Sequence, residues 1–197
     1  MLQVAERCEF TIVEDDVFSD LQTDPTPRLA TLDQLNRVLY VRSFSKTLSS
    51  SVRVGFIACR QDHVDALASI KMLSSITSSP FAERLIYLIL VDGHYRKYLA
   101  RLRARLDEAR LKVVRMFESI GIELFVEPTD GMYLWARFPE VSNSLTVAER
   151  AAHEGIMLAP GTVFHPQMGT SPWMRFNIPV CADPSLKSPY LDTVWSI

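Results

Sequence analysis

The feature that most constrains this chain is a polar loop enclosed by two strand-like runs. Residues 37–42 and 53–59 are rich in the β-branched and aromatic residues that favour strands, and residues 43–51 between them include five serines, a lysine and a threonine. A third strand-like run, residues 10–14, leads into three consecutive acids. Apolar runs of this kind are typical of buried parallel strands, and ligands in α/β proteins gather at the carboxyl ends of such strands. The polar loop is therefore a candidate binding site.

The remainder of the chain alternates between helical and strand-like patterns, which predicts a mixed α/β fold. Two helical regions come first, separated by a Ser/Thr/Pro break, and Gly93 is expected to kink or divide the second. A hairpin and a small α+β unit are expected to follow. The predicted helices cover residues 61–75, 81–120 and 145–154, and the predicted strands cover 122–126, 132–138, 156–159 and 173–178, with a loop over 160–166.

The composition is that of a globular, cytoplasmic protein. Of 197 residues, 48% are hydrophobic and 22% are charged. The longest apolar run, residues 85–91, is shorter than the roughly 20 residues that cross a bilayer, and the N-terminal residues do not resemble a signal peptide. We therefore expect no membrane association. The three cysteines and four histidines have no metal-binding spacing, so buried thiols and no metal site are predicted.

The charge pattern gives little reason to expect nucleic-acid binding. The formal net charge is −2, which provides no overall attraction to phosphate backbones. Residues 96–115 hold eight basic side chains against two acids, and this run could form a nucleic-acid face. Interleaved apolar residues instead indicate an amphipathic helix with a solvated basic side, so no direct nucleic-acid contact is expected from this segment.

Lys46 is the candidate reactive residue of the polar loop. A lysine amine in a ligand-binding loop can be desolvated and attack carbonyl carbons. Ser43 and Ser45 can hydrogen-bond an anion, and Arg53 offers a planar guanidinium suited to phosphate. Taken one at a time, these residues are equally explained as a solvated lysine, turn serines and a surface arginine.

The acids at residues 14–16 end a strand that is expected to run parallel to the one before Lys46. A carboxylate there can hold a pyridine nitrogen in its protonated form. Adjacent acids can also bind Mg²⁺ through oxygen, or simply begin a loop. The residues alone leave these alternatives open.

Six strings in the expected order resemble the pyridoxal 5′-phosphate (PLP) core of class I/II aminotransferases. The resemblance is greatest to the MocR-type regulators, in which an aminotransferase-like domain follows a winged helix-turn-helix of the GntR kind. It covers roughly residues 1–182. The strings are VEDDVFSDL at 13–21, SFSKTL at 43–48, RVGF at 53–56, GMYLW at 131–135, PGTVF at 160–164 and MRFNI at 174–178.

The resemblance implies a role for each matching residue. Lys46 would be the catalytic lysine that forms a Schiff base with PLP and moves a proton at the substrate α-carbon. Asp15 would partner the pyridine nitrogen, and Arg175 would bind the α-carboxylate of an amino acid or 2-oxo acid. The phosphate would be held by Ser43, Ser45 and Arg53. A homodimer is expected by resemblance only.

The resemblance also implies a partial PLP-dependent transferase fold of fold type I. Residues 1–80 would be a remnant of the PLP-binding large domain, with the later strands of its sheet, and residues 81–120 would be connecting helices. Residues 121–182 would form the small α+β C-terminal domain, followed by an atypical tail at 183–197. Strands near Phe10, Val38 and Val54 would then lack neighbours and expose apolar faces.

Three features depart from the family pattern. The chain has about half the expected length, and the part that would precede residue 1 carries further cofactor contacts. Phe18 stands where related aminotransferases often have a tyrosine whose hydroxyl reaches the cofactor. In the tail, Pro189 stands where the final helix should continue, as in a truncated or frame-shifted product.

Two classes of function are compatible with these observations. The first is PLP-dependent amino-group transfer, or amine sensing by the aminotransferase-like domain of a transcription regulator. The second is a non-catalytic fragment that only dimerises or complements a missing N-terminal half. The substrate is not specified by the sequence.

Overall fold

The chain forms two compact units that divide between Arg101 and Leu102. A computed structural model describes residues 1–23 and 26–184. The predicted irregularity at Pro189 lies outside these residues. Among the described helices, none combines the length and the hydropathy needed to span a membrane.

The first unit contains a three-stranded sheet that confirms the three predicted strands. Its strands are β1 (Ile12–Asp15), β2 (Val38–Ser43) and β3 (Gly55–Ala58), in the order β1-β2-β3. β1 is parallel to β2, and β3 is antiparallel to β2. The carboxyl ends of β1 and β2 therefore lie at the same edge of the sheet, with the acidic residues 14–16 at the end of β1 and the polar loop at the end of β2.

Gly55 allows β3 to approach β2 closely. It lies opposite Ser43 in the register, and a Cβ on Gly55 would stand 2.5 Å from the carbonyl oxygen of Arg42. Such a separation is shorter than any real Cβ contact. Glycine is therefore required here for steric reasons, at the start of the strand that follows the polar loop.

The helices of the first unit match the predictions in part. They are α1 (Leu2–Arg7), α2 (Leu29–Asp33), α3 (Val64–Ser75) and α4 (Pro80–Val91), and α5 (His94–Ser119) begins in this unit. Ser79 caps α4, whose first residue is Pro80, and Gly93, with a φ of +69°, separates α4 from α5 as predicted.

The helix α1, which precedes β1, was not predicted. The buried Ala5 of α1 packs in a small core with Ile12, Ala30 and Val38. α2 was not predicted either. Its first amides, those of Leu29 and Ala30, are satisfied by a residue far away in the sequence, as described below, so no local capping signal marks it.

The second unit is built on a four-stranded antiparallel sheet. Its strands are β4 (Glu123–Leu124), β5 (Tyr133–Arg137), β6 (Ala159–Pro160) and β7 (Trp173–Asn177), in the order β4-β5-β7-β6. β4 and β5 form the predicted hairpin. The unit also contains the helices α6 (Ser144–His153) and α7 (Ile178–Cys181). Phe117, Met174, Phe176 and Ile178 are among the buried side chains of its core.

Two local predictions in the second unit were wrong. The short strand expected at 156–159 is found instead at Ala159–Pro160, and the following loop is a 3-10 helix over Gly161–Phe164. Tertiary contacts explain the shift, because Gly161 is buried and donates its amide hydrogen to the Ser144 hydroxyl at 3.1 Å.

The prediction of buried thiols was wrong for Cys8, which is exposed. Cys59 and Cys181 are half-buried.

Apolar side chains are exposed on the outer strands of the first unit, as expected for a sheet of this size. Val13 of β1 is 64% exposed, and Phe56 and Ile57 of β3 are similarly open. Val38 of the central strand is buried, contrary to the expectation. A central strand is covered by its neighbours on both edges and by α1 on one face, which explains the difference.

Candidate functional site

Lys46 is presented by a single tight turn, Phe44–Leu48, called here the Lys46 turn. The Leu48 amide donates to the Phe44 carbonyl at 2.9 Å, and the Phe44 amide donates to the Val54 carbonyl at 3.0 Å. Phe44 and Thr47 are buried at 5% and 3% exposure, while Lys46 is exposed. The turn is thus anchored by two side chains and directs the amine outward.

The Lys46 amine lies beside the Phe18 ring. Its Nζ atom is 5.8 Å from the ring centroid, within the range of a cation–π contact. Phe18 lies just beyond the acids at the end of β1, so the segments that follow the two parallel strands approach one another here. The structure therefore places Lys46 next to Phe18, the residue that departs from the tyrosine of the family pattern.

The three consecutive acids have different environments. The Glu14 carboxylate caps α2, accepting the amides of Leu29 and Ala30 at 2.9 and 2.8 Å. Asp15 is exposed, and among the described residues its carboxylate accepts only a 3.3 Å bond from the amide of Val17. Glu14 is thus committed to the fold, and Asp15 is open to a ligand.

Asp16 is also committed to the fold. Its carboxylate accepts hydrogen bonds from Arg28 Nε at 2.6 Å and from the Tyr40 hydroxyl at 2.7 Å. Burial acts to raise the pKa of Asp16, but the hydrogen bonds from Tyr40 and Arg28 outweigh it and hold the pKa below its usual value. Burial and the bond to Asp16 raise the pKa of Tyr40. Because Glu14 and Asp16 are both engaged in hydrogen bonds within the fold, Asp15 is the acid of the three that is available to a ligand.

The predicted phosphate-binding residues are close together. The Ser43 hydroxyl accepts the Ser45 amide at 3.2 Å, and Arg53 Nη1 donates to the Ser45 hydroxyl at 3.4 Å. Arg53 is exposed and has a left-handed backbone, with a φ of +52°. Two hydroxyls and a guanidinium at one edge of the sheet can bind an oxyanion.

A buried polar network behind the Lys46 turn was missed by sequence reasoning. The Thr47 hydroxyl oxygen lies 2.9 Å from that of Tyr95, Tyr95 donates to Asp20, and Asp20 pairs with Arg42. Burial and the bond to Asp20 raise the pKa of Tyr95 to about 12. These four residues are scattered over 76 positions of the chain and share no motif, so only the fold reveals their association.

Arg175 lies on β7 in the second unit, where aromatic rings hold it. Its guanidinium carbon is 4.4 Å from the Tyr133 ring centroid and 5.0 Å from that of Phe164. The residue is exposed, and within residues 1–23 and 26–184 it forms no ion pair with an acid. The rings restrict the side chain, and the guanidinium is suited to a planar carboxylate.

No cluster of metal ligands accompanies these residues. Among the described residues, no group of three or more His, Cys, Asp or Glu side chains is arranged to hold a metal ion.

Cys181 of the second unit is half-buried, and burial raises the pKa of its thiol to about 11. This thiol does not belong to the candidate site.

Comparison with known proteins identifies the relatives of the chain. A sequence model of the family described as aminotransferase class I and II matches residues 1–188. The HTH-type transcriptional regulator NorG of Staphylococcus aureus is 29% identical over 168 residues, which are 83% of this chain and 38% of the regulator. Aromatic-amino-acid aminotransferase 1 of Thermococcus litoralis is 27% identical over 183 residues, which are 90% of this chain and 43% of the enzyme.

Solved structures show the same fold. A multiple substrate aminotransferase from Thermococcus profundus matches with a TM-score of 0.81 and 24% identity, covering 98% of this chain and 47% of that one. An α-aminoadipate aminotransferase from Thermus thermophilus, complexed with N-(5′-phosphopyridoxyl)-L-leucine, matches with a TM-score of 0.80 and 23% identity over 90% of this chain and 47% of that one. The chain therefore spans less than half the length of each of these relatives.

Proposed function

Because the chain belongs to the class I and II aminotransferase family, whose cofactor is pyridoxal 5′-phosphate, we propose that its first unit binds PLP covalently through Lys46. The observation that carries the proposal is the Lys46 turn, which presents an exposed amine beside Phe18 and also carries Ser45, the partner of Arg53. A solvated surface lysine needs no buried anchors on either side of it. Phe44 and Thr47 supply such anchors here.

The residues present fit the chemical groups of PLP. The Lys46 amine is suited to the aldehyde, the Ser43 and Ser45 hydroxyls with Arg53 are suited to the phosphate, and the Asp15 carboxylate is suited to the pyridine nitrogen. Asp15 is the acid whose oxygens are not taken up by the fold. These residues therefore match PLP in their available hydrogen-bond donors and acceptors as well as in their residue types.

The chemistry that the bound cofactor supplies is an electron sink for the carbanion at the substrate α-carbon. Asp15 would keep the ring nitrogen protonated, which would maintain that sink. Lys46 Nζ would remove and return the proton at the substrate α-carbon. By the family resemblance, Arg175 would bind the substrate carboxylate through its guanidinium, which contacts the rings of Tyr133 and Phe164.

The proposed reaction is amino-group transfer between an amino acid and a 2-oxo acid. The relatives include both aminotransferases and transcription regulators, so sensing of an amine by the same site is a second form of the proposal. The proposal also includes a homodimer. It assigns residues 1–80 to the large domain, 81–120 to connecting helices and 121–182 to the small domain.

A different candidate function is supported by the exposed apolar surface of the first unit. No residue of α3 is buried, and Ile70, Met72 and Leu73 are at least 60% exposed. Apolar patches of this kind mark surfaces that contact another polypeptide. A non-catalytic chain that functions only by association is therefore the second candidate.

Covalent labelling tests cofactor binding. Purified protein is mixed with PLP, scanned for absorbance, reduced with borohydride and mapped by mass spectrometry. We expect a pyridoxyl adduct confined to Lys46, absent in Lys46→Ala and unchanged in Lys71→Ala, a matched variant of an exposed lysine in the same unit. Adducts spread over all lysines and equal in both variants would contradict the proposal and favour the second candidate.

A single-turnover assay separates transfer from sensing. The protein is first loaded with PLP, and each amino acid of a panel is then added without a 2-oxo acid acceptor. Amino-group transfer predicts release of the matching 2-oxo acid in an amount stoichiometric with Lys46. Sensing predicts a change of absorbance without any 2-oxo acid product.

A further inference from the structure

Tyr95 contacts both buried anchors of the Lys46 turn. Its ring meets Phe44 edge to face, with centroids 5.7 Å apart and an interplanar angle of 79°. Its hydroxyl oxygen lies 2.9 Å from Thr47 Oγ1. Tyr95 is on the first turn of α5 and is 8% exposed. One side chain therefore fixes the residues two before and one after Lys46.

The hydrogen bonds of this network have a defined direction. A tyrosine hydroxyl has one hydrogen, and Tyr95 donates it to Asp20. In the bond between Thr47 and Tyr95 the threonine is therefore the donor. Asp20 also forms an ion pair with Arg42, which immediately precedes Ser43. The chain of hydrogen bonds therefore runs from Thr47 in the Lys46 turn, through Tyr95, to the Asp20–Arg42 ion pair.

The same network reaches the aromatic neighbour of Lys46. Asp20 lies in the 3-10 helix Ser19–Leu21, whose N-cap residue is Phe18. Phe18 is the ring beside Lys46 Nζ. Tyr95 thus ties the segment that carries Phe18 to the turn that carries Lys46, through Asp20 on one side and Thr47 on the other.

We propose that Tyr95 is a positioning residue that sets the placement of the Lys46 amine against Phe18 through its hydrogen bonds to Thr47 and Asp20. The inference deepens the proposed function, on which it rests for the role of Lys46 as the cofactor lysine. Tyr95 does not touch the amine. It acts through the backbone of the turn, because Phe44 and Thr47 face inward while Lys46 faces outward.

The first test needs no cofactor. The five lysines are converted to dimethyl-lysines with ¹³C-formaldehyde and a borohydride reductant, and the Lys46 signal is assigned by its loss in Lys46→Arg. Its chemical shift reports the nearby Phe18 ring, with Phe18→Leu as the reference without that ring. We expect Tyr95→Phe and Thr47→Val to move the signal toward the reference. Thr47→Ser, which keeps the hydroxyl, should restore the original position.

Tyr98→Phe is the matched control. Tyr98 lies one turn further along α5, and its hydroxyl belongs to no described hydrogen bond of the network. The Lys46 signal should not change in this variant. If Tyr95→Phe lowers the melting temperature but leaves the Lys46 signal where it is, Tyr95 has only a structural role and the inference is overturned.

The second test measures reaction with PLP. We expect the rate of borohydride-trapped adduct formation at Lys46 to fall roughly tenfold in Tyr95→Phe, because small displacements of a reacting group lower rates by such factors. An equal rate in Tyr95→Phe and Tyr98→Phe would overturn the inference. Absence of any adduct in the unsubstituted protein would contradict the proposed function instead, and the Lys46 signal would still decide the role of Tyr95.

Discussion

The two units differ in what holds them together. Among the described residues, the second unit has a contiguous core of twelve buried residues, including Phe117, Met174 and Phe176. The corresponding cluster of the first unit, around Ile12 and Val38, has four. Buried hydrogen bonds and ion pairs are instead concentrated in the first unit, around Asp16 and Tyr95. The candidate cofactor residues thus lie in the unit with the smaller apolar core and the more extensive polar networks.

This difference shows how a reactive lysine can be placed without a large core around it. Apolar contact is non-directional, whereas hydrogen bonds fix both distance and angle. The polar networks of the first unit hold the two acids beside Asp15 and the turn beneath Lys46. Removing apolar volume should therefore affect the second unit most, and removing polar partners should affect the first.

The largest effect is expected for Phe117→Ala in the second unit. Phe117 is fully buried and packs 4.9 Å from the Phe176 ring, so truncation should cost about 3–5 kcal/mol of unfolding free energy. Urea denaturation measures it. Phe81→Ala in the first unit, at 81% exposure, should change the unfolding free energy by less than about 0.5 kcal/mol. Equal losses would remove the contrast between the units.

Gly55→Ala should be the most damaging small substitution in the first unit. The added methyl would overlap the Arg42 carbonyl, and separating β2 from β3 should cost about 1–3 kcal/mol. Circular dichroism during thermal unfolding measures the effect. Ile57→Ala removes volume from the same strand at a half-exposed site and should cost less. The reverse order would show that the close approach of the strands is not required.

Asp16→Asn should weaken the first unit and change its acid sensitivity. Loss of charged acceptors for Arg28 and Tyr40 should cost about 2 kcal/mol. Because the folded pKa of Asp16 lies below its unfolded value of 3.8, its stabilisation is present above that value and is lost as the pH falls through the folded pKa. Unfolding followed between pH 2 and pH 7 should therefore show a shallower acid decline in Asp16→Asn.

The control for this pH series is Asp15→Asn, which changes the neighbouring acid. Asp15 is exposed and accepts only the Val17 amide among the described residues, so its stability profile should match that of the unsubstituted protein. An acid decline that is equally shallow in Asp15→Asn would mean that the assignment of separate roles to the two acids is wrong.

The smallest effect is expected for Asp62→Asn, which breaks an ion pair with Arg60. Both side chains are 53% exposed, and solvent screening leaves such pairs with little net contribution. Denaturation midpoints with and without the substitution should coincide. A measurable loss would indicate that surface charges, as well as the buried networks, stabilise the first unit.

Much of the framework could be predicted from local pattern. The three strands of the first unit, the hairpin of the second and the division at Gly93 follow from apolar periodicity and turn residues. α1 and α2 could not be predicted, because α1 is six residues long and the cap of α2 comes from Glu14, more than ten positions earlier in the chain. The shift of the strand to Ala159 has a similar cause, a tertiary contact of Gly161 with Ser144.

The sequence by itself determined the family and the chemical groups of the candidate site, because Lys46, Asp15 and the Ser45–Arg53 set occur in ordered motifs. The tertiary structure decided which acid of three is open to a ligand and which residues lie behind the lysine turn. Both depend on partners such as Tyr40 and Tyr95, 24 and 48 positions from Asp16 and Thr47. Hydrogen bonds between such distant residues form only when the chain has folded, and no local pattern encodes them.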